Sequence, residues 1–193
     1  MKRKILIALL ITLNVNAYSQ NKNNVKEVAK TAEKIFTWDI EKSEKGTMMF
    51  LDVPYQRDTQ NSEEYLTLTV AKGKSQERPA FISVIIPNNI KQSNGIFIKF
   101  GKTIKTKENS EWKTELEKRN PVKVNFEKCN DETCTARIIG GYVTDNETNE
   151  KVDIFQKCLE FDHIYFLFVY ADGSHKSVAI PLFSFKKQYK QLL

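Results

Sequence analysis

The sequence is poor in the residues on which most enzyme sites depend. Its 193 residues include only three cysteines, two histidines and seven glycines. It contains no G-x-S-x-G nucleophile elbow, no P-loop and no dinucleotide-binding fingerprint. Residues 162–163 (Asp-His) and 174–175 (Ser-His) are sequence neighbours, but a catalytic triad is defined by geometry, and their turn-like surroundings favour capping roles. We therefore predict no catalytic residues and no cofactor.

Long apolar runs are also scarce, and the longest lies at the N-terminus. Residues 1–4 are basic, residues 5–13 are apolar except for Thr12, and residues 15–17 or 17–19 fit the small-residue rule for signal peptidase. The apolar run is too short to span a bilayer as a mature helix. The pattern is typical of a Sec-type signal peptide, and a cytoplasmic chain with an apolar first strand is the alternative. We predict a periplasmic or secreted protein without a transmembrane segment after cleavage.

The charge of the chain is small once this segment is set aside. Removing Lys2, Arg3 and Lys4 lowers the formal charge from +6 to +3, because no acidic residue precedes Glu27. A charge of this size argues against a nucleic-acid partner. The remaining chain of about 175 residues is long enough for one domain. We predict a signal peptide over 1–19, an arm or short helix over 20–35, and a single β-sandwich domain over 36–193.

Two of the cysteines lie within residues 121–142, where apolar and polar residues alternate on both sides of a polar turn. This period of two predicts two antiparallel strands. Cys129 and Cys134 stand at the two sides of the turn, where a tight hairpin brings Cα atoms within disulfide reach. We predict a hairpin closed by a Cys129–Cys134 disulfide, and a redox-active pair is an alternative.

The third cysteine leaves a further question of pairing, because three cysteines cannot all pair within one chain. Cys158 lies in a stretch with helical spacing, which favours a small buried apolar residue over a disulfide-linked dimer. A zinc site would need both paired cysteines together with Cys158 and either His163 or His175, a spacing unlike that of structural zinc sites. The acidic residues of 145–153 lack EF-hand order and favour a solvated loop. We predict no metal ion.

Alternation of apolar and polar residues continues through most of the chain. Residues 65–71 and 96–100 are clear half-buried strands, and residues 47–53 predict a buried strand that ends at Pro54. Residues 164–170 are continuously apolar, which predicts a central strand covered on both faces. The chain therefore consists mainly of short strands separated by turns.

Three segments depart from this strand pattern. Residues 102–120 are long, polar and charged, with Trp112 as their only aromatic residue, and predict a hairpin or a loop that carries specificity. Residues 152–159 and the segment after Phe185 have the spacing of short amphipathic helices. We predict an all-β fold, an antiparallel β-sandwich that is jelly-roll-like, with short peripheral helices.

Four pieces of this sequence resemble, in order and spacing, the invasion-associated locus B family. They are a strand with a proline turn (85–87), a glycine-led strand (95–100), a phenylalanine-and-paired-cysteine signature (121–126 with Cys129 and Cys134), and a C-terminal ending (181–185) followed by a short helix. The resemblance extends from about residue 36 to residue 192. Many members carry a second cysteine pair near the first tryptophan and the next strand. In this chain the residues just after Trp38 and around 48–49 include no cysteine.

The resemblance implies a small secreted or periplasmic all-β protein with no settled enzymatic activity. We accordingly predict an exported, non-catalytic binding protein whose partner is a protein or an envelope component. Candidate interaction residues are Trp112 and the C-terminal lysines Lys186, Lys187 and Lys190. An anionic membrane surface is one partner that these lysines could contact, but a helix packed on the end of the sandwich is the favoured interpretation of their segment. The alternative is a carbohydrate-active or other hydrolytic module that uses residues 102–120 over a sheet face.

Overall fold

The computed structural model of the protein describes residues 36–57, 63–73, 79–106 and 112–192. The predicted signal peptide (1–19) and N-terminal arm (20–35) lie outside these residues, so both stay predictions, as does the division of the chain. Neither of the two helices within the described ranges is long and apolar enough to cross a bilayer.

The described residues form thirteen strands, one short 3₁₀ turn (Gln92–Asn94) and two helices. The strands are β1 (Asp39–Ser43), β2 (Gly46–Gln56), β3 (Glu63–Gly73), β4 (Phe81–Pro87), β5 (Ile96–Lys105), β6 (Trp112–Leu116), β7 (Val122–Val124), β8 (Phe126–Cys129), β9 (Thr133–Ile139), β10 (Tyr142–Thr144), β11 (Lys151–Asp153), β12 (His163–Val169) and β13 (His175–Pro181). The helices are α1 (Ile154–Glu160) and α2 (Phe185–Tyr189).

The strands make two main sheets, and every pairing is antiparallel. The first sheet has the order β1-β2-β3-β4-β9-β8, and the second has the order β13-β12-β5-β6. Strand β7 pairs with the start of β5 and β6 pairs with its end, so β7 and β6 follow one another along one edge of β5. Strands β10 and β11 form a separate two-stranded ribbon. This arrangement confirms the predicted all-β sandwich with short peripheral helices.

One apolar core lies between the two sheets. Alternate side chains of β2, β3, β4 and β9 face those of β5 and β12, as the period of two requires. An edge-to-face contact between Tyr55 of β2 and Phe168 of β12, with ring centroids 5.9 Å apart, joins the sheets directly. Burial of these side chains is the main source of stability.

Two sequence expectations for individual strands differ from the structure. Strand β2 does not end at Pro54 but continues to Gln56. Strand β1 covers β2 only as far as Phe50, so at Pro54 one side of β2 has no paired strand and a proline is tolerated. Strand β12 is central, as predicted, but only Ile164, Phe166 and Phe168 are fully buried, and its outward side chains are partly exposed.

Both short helices form where helical spacing predicts them. Asp153 caps α1 by accepting a hydrogen bond from the backbone N–H of Gln156, at 2.9 Å. Helix α1 buries Cys158, and burial raises the pKa of its thiol. Cys158 is therefore a buried apolar-type residue, as the sequence predicts, and a buried neutral thiol is a poor partner for a disulfide between chains.

The turn between β8 and β9 carries the disulfide. Cys129 and Cys134 are directly opposite in the β8–β9 ladder, and the Cys129–Cys134 disulfide joins them. Asn130 closes the turn, because its side-chain oxygen accepts hydrogen bonds from the backbone N–H groups of Glu132 and Thr133. The disulfide therefore reinforces a turn that local hydrogen bonds already define.

Replacing both Cys129 and Cys134 with serine should lower the free energy of unfolding by about 2 kcal/mol, since the closed loop is short. Urea unfolding followed by circular dichroism measures this difference. Thiol titration in denaturant should find one free thiol, Cys158, in the wild type and in the double variant. Three free thiols in the exported wild-type protein would contradict the disulfide.

Candidate functional site

The sandwich has two ends that differ in their chemistry. At one end His163, the first residue of β12, pairs with Gly101 of β5 and Pro181 of β13. The β5–β6 hairpin continues beyond Gly101 at this end, and α2 follows Pro181 there. The other end contains the disulfide turn and the residues around Tyr170. We call the first the hairpin end and the second the network end.

The hairpin end contains most of the interaction residues predicted from the sequence. Its exposed side chains come from the β5–β6 hairpin and from the C-terminal segment. The exposed lysines and large apolar residues among them are Lys102, Lys105, Trp112, Lys113 and Leu116 of the hairpin, and Phe183, Lys186, Lys187 and Lys190 of the C-terminal segment, and Glu115 of the hairpin is exposed as well. The structure therefore brings Trp112 and the three C-terminal lysines to the same end of the molecule.

The β5–β6 hairpin projects because the pattern of β5 changes along its length. Up to Phe100 every second residue of β5 is buried, whereas most residues from Lys102 onward are exposed. Every residue of β6 is exposed as well. Trp112 is 66% exposed and Leu116 is 49% exposed, and their even spacing places them on one face of the strand. The hairpin thus presents an apolar face outside the core.

Gly101 marks the point where β5 leaves the core. A Cβ atom at this position would lie 2.7 Å from Cγ2 of Thr114 and 3.1 Å from the ring of Tyr165. A side chain at this position would displace the Thr114 methyl group or the Tyr165 ring, so glycine fits between these two neighbouring side chains. The base of the hairpin is therefore packed tightly against the sheet.

Asp162 connects the hairpin to the C-terminal segment. Its side chain accepts a hydrogen bond from the backbone N–H of Thr103 at 2.9 Å. Its backbone N–H donates to the carbonyl of Gly101 at 3.1 Å, and its carbonyl accepts from the N–H of Leu182 at 2.7 Å. These bonds hold the two exposed segments at the hairpin end next to one another.

Helix α2 is fixed by its aromatic face and exposes its lysines. Phe185 contacts Trp38 with ring centroids 5.5 Å apart, and Tyr189 stacks on Phe155 at 5.4 Å. Phe183, just before the helix, is 47% exposed. Lys186, Lys187 and Lys190 are exposed, and no ion pair among the described residues includes them. Their positive charge is therefore available to a partner.

The network end holds a half-buried group of polar side chains. Glu64 accepts hydrogen bonds from the hydroxyl of Tyr170 at 2.9 Å and from Nδ2 of Asn89 at 2.7 Å. Arg57 forms an ion pair with Asp172 at 2.6 Å and lies over the ring of Tyr170. Since Glu64 belongs to β3 and Tyr170 follows β12, these contacts join the two sheets.

The pKa shifts in this network point to a structural role. Burial, followed by the effect of Glu64, raises the pKa of Tyr55 and of Tyr170, so both hydroxyls keep their protons at neutral pH. Hydrogen bonds from Ser174, together with Arg57, lower the pKa of Asp172 to about 2. A protonated tyrosine and a permanently ionised carboxylate can hold a structure together, but neither can exchange a proton near neutral pH.

A shallow groove of about 340 Å³ lies between β7, β9 and β10. Arg137, Lys123 and Tyr142 are among its lining residues, and no carboxyl group is among them. Strand β8 ends its pairing with β9 at Ala136, which leaves the last residues of β9 without a paired strand on that side. The groove lacks the paired acidic and basic groups that acid–base catalysis requires.

The histidines of the alternative metal and catalytic-triad sites do not come together. His163 and His175 lie at opposite ends of the second sheet. Among the residues that the structure describes, no group of three or more potential ligands converges on one point. Ser174 donates its backbone N–H and its hydroxyl to Asp172, the capping role expected for this turn.

Asp145 differs from the expectation of a solvated acidic loop. It is buried and accepts hydrogen bonds from the backbone N–H groups of Glu147 and Thr148, which lower its pKa. Arg119 pairs with it at 3.2 Å. The carboxylate is buried because the local turn and Arg119 satisfy it, and of these partners only the arginine is distant in sequence.

Comparison with known proteins gives little beyond the fold. No family model matches the chain, and no curated protein matches it. Among solved structures, the chain is similar to the crystal structure of invasion associated protein B from Bartonella henselae, with a TM-score of 0.49 and 12% sequence identity over 80% of this chain and 90% of that chain. A likeness of this degree assigns neither a family nor a function.

Replacing Trp112 with alanine should change the free energy of unfolding by less than about 0.5 kcal/mol, because the ring lies outside the core. Replacing Trp38, which is 2% exposed, with alanine should cost about 3–5 kcal/mol. Urea unfolding of both variants makes the comparison. A large loss of stability in Trp112→Ala would mean that the indole ring is structural and would remove it as a candidate contact.

Replacing Tyr170 with phenylalanine should lower the free energy of unfolding by about 1–3 kcal/mol, because the buried side of Glu64 loses its hydroxyl donor. The matched control is Tyr142→Phe, since Tyr142 is mostly exposed. Thermal or urea unfolding measures both variants. Equal effects of the two substitutions would show that the network does not hold the sheets together.

Proposed function

We propose that the protein is exported and works by binding, without catalysis, in the periplasm or at the cell surface. The observation that carries the proposal is the exposed ring of Trp112 on a hairpin that projects beyond the core. The resemblance of the sequence to the invasion-associated locus B family supports the same class of function. The hairpin end is the proposed binding surface.

Export is supported by the N-terminal pattern and by the cysteines. A basic start, a short apolar run and a small-residue cleavage motif are typical of a Sec-type signal peptide. Disulfides persist in oxidising compartments and are rare in the cytosol. The Cys129–Cys134 disulfide is consistent with an extracytoplasmic location.

Binding by the hairpin end is supported by its composition. Trp112, Leu116 and Phe183 are three of the six large apolar side chains that are exposed among the described residues, and they belong to the β5–β6 hairpin and to the segment before α2. Tryptophan is enriched among the residues that dominate binding energy, and exposed apolar groups in one region indicate an interaction surface. The fixed base of the hairpin at Gly101 also reduces the entropy lost on binding.

A hydrolytic or carbohydrate-active module would need carboxyl groups that converge on a sheet face. The carboxyl groups with shifted pKa, Asp145 and Asp172, have lowered values and are engaged by backbone N–H groups and arginines. Asp172 lies at the network end, and Asp145 is occupied by its ion pair with Arg119 of the 102–120 segment. No observation on the described residues favours this alternative.

Export is tested by expressing the full-length chain in a bacterium and determining the mature N-terminus by mass spectrometry. We expect cleavage near residue 17 or 19 and recovery in the periplasmic or extracellular fraction. A chain recovered intact in the cytoplasm would contradict the export part of the proposal.

Binding is tested by placing the photo-crosslinking residue p-benzoylphenylalanine at position 112 and, in a matched variant, at position 65. Tyr65 is 50% exposed on the outer face of the first sheet, away from the hairpin end. On irradiation with envelope fractions, position 112 should give a crosslinked product that position 65 does not give. The same products from both positions, or none from position 112, would overturn the hairpin end as the binding surface.

A further inference from the structure

We infer that the hairpin end docks on a membrane surface that carries anionic lipid headgroups. This inference rests on the proposed binding function and names the chemical class of the partner. It follows from three features of the hairpin end: exposed apolar anchors, lysines without ion-pair partners, and a junction that holds the two together.

The apolar anchors are suited to the boundary between headgroups and acyl chains. Trp112 and Leu116 share one face of β6. Phe183 is in the C-terminal segment, just before α2. An indole ring is favoured at this boundary because it combines a large apolar surface with a polar N–H. Three exposed apolar side chains, with such an indole ring among them, are therefore suited to a lipid surface.

The lysines supply the charge complementarity. Residues 102–116 carry four lysines against three glutamates, so the hairpin itself is nearly balanced. The excess positive charge comes from Lys186, Lys187 and Lys190 on the exposed face of α2. Lysine side chains extend along apolar surface and keep their ammonium groups among headgroups, as interfacial segments require.

The packing of α2 explains why its lysines, rather than its apolar face, would meet the membrane. Phe185 and Tyr189 are occupied by contacts with Trp38 and Phe155. The helix therefore cannot insert as an isolated amphipathic helix would. Phe183, Trp112 and Leu116 supply the apolar contacts instead, and Asp162 holds the C-terminal segment beside the base of the hairpin.

An acidic protein is the competing class of partner. Specific protein interfaces have an apolar core that is shaped to its partner and surrounded by a polar rim. The one groove described above lies between β7, β9 and β10, and none of the residues that define the hairpin end is among its lining residues. Exposed apolar side chains beside α2 lysines that form no ion pair with another described residue favour the lipid surface.

The test uses the exported full chain with sucrose-loaded vesicles of phosphatidylcholine alone and of phosphatidylcholine mixed with phosphatidylglycerol. We expect co-sedimentation with the mixed vesicles only, and weaker binding as salt is added. The chain has two tryptophans, and Trp38 is buried, so a blue shift of the emission on binding reports Trp112. Trp112→Phe should abolish the shift while largely retaining binding.

Two matched pairs of substitutions locate the contact. Lys186→Gln with Lys187→Gln should lower the vesicle partition coefficient about 25-fold, which is about fivefold for each lysine near an anionic surface. Lys91→Gln with Lys128→Gln removes the same charge from exposed positions near the network end. This pair should change the vesicle partition coefficient by less than about twofold. Trp112→Ala should lower it about tenfold, and circular dichroism checks that each variant is folded.

Several results would overturn the inference. They are equal binding to both kinds of vesicle, no binding to either, no emission shift from Trp112, or equal losses in the two lysine pairs. Absence of vesicle binding together with a position-specific crosslink from residue 112 would leave the binding function standing and identify a protein or glycan as the partner. Loss of both results would overturn the binding function as well.

Discussion

The pairing of β5 with three other strands is the constraint on which the second sheet and the candidate site both depend. The first part of β5 lies between β12 and β7, and the last part continues with β6 alone. Apolar side chains that end at Phe100 keep the first part in the core, and at Gly101 the side chains of Thr114 and Tyr165 close over the strand. The exposed hairpin is thus an extension of a buried strand, and the bond from the Thr103 N–H to Asp162 helps to fix its direction.

The network end contributes to stability, whereas the hairpin end is the proposed binding surface. At the network end, Glu64 and Tyr170 join residues 106 positions apart in the sequence, and the disulfide closes the neighbouring turn. Buried polar groups of this kind are costly unless they are satisfied, so they favour one arrangement of the two sheets. At the hairpin end, Trp112 and the lysines contribute little to folding. Folding therefore places little constraint on which residues occupy these positions, and the proposed binding would be the constraint that remains.

How well each feature can be predicted depends on how far apart in the sequence the interacting residues lie. The Cys129–Cys134 hairpin and α1 follow from local spacing, and both are present as predicted. The single exposed face of β12 and the passage of β2 through Pro54 depend on which strands lie alongside, which composition does not reveal. The position of Trp112 and α2 at the same end of the sandwich likewise depends on the register of β5, β12 and β13. The sequence indicates these candidate residues separately and does not show that they share one end of the fold.

A binding role requires less of this sequence than catalysis would. Catalysis needs groups held at short distances with pKa values near neutrality, and the described tyrosines and carboxylates with shifted pKa values have been moved away from that range by burial or by firm hydrogen bonds. Binding to a charged, deformable surface needs only exposed anchors and uncompensated cations on a rigid support. Gly101 and Asp162 provide that support, because they hold the hairpin and the C-terminal segment against the same end of the core. The chemistry of the hairpin end is therefore sufficient for recognition without a pocket.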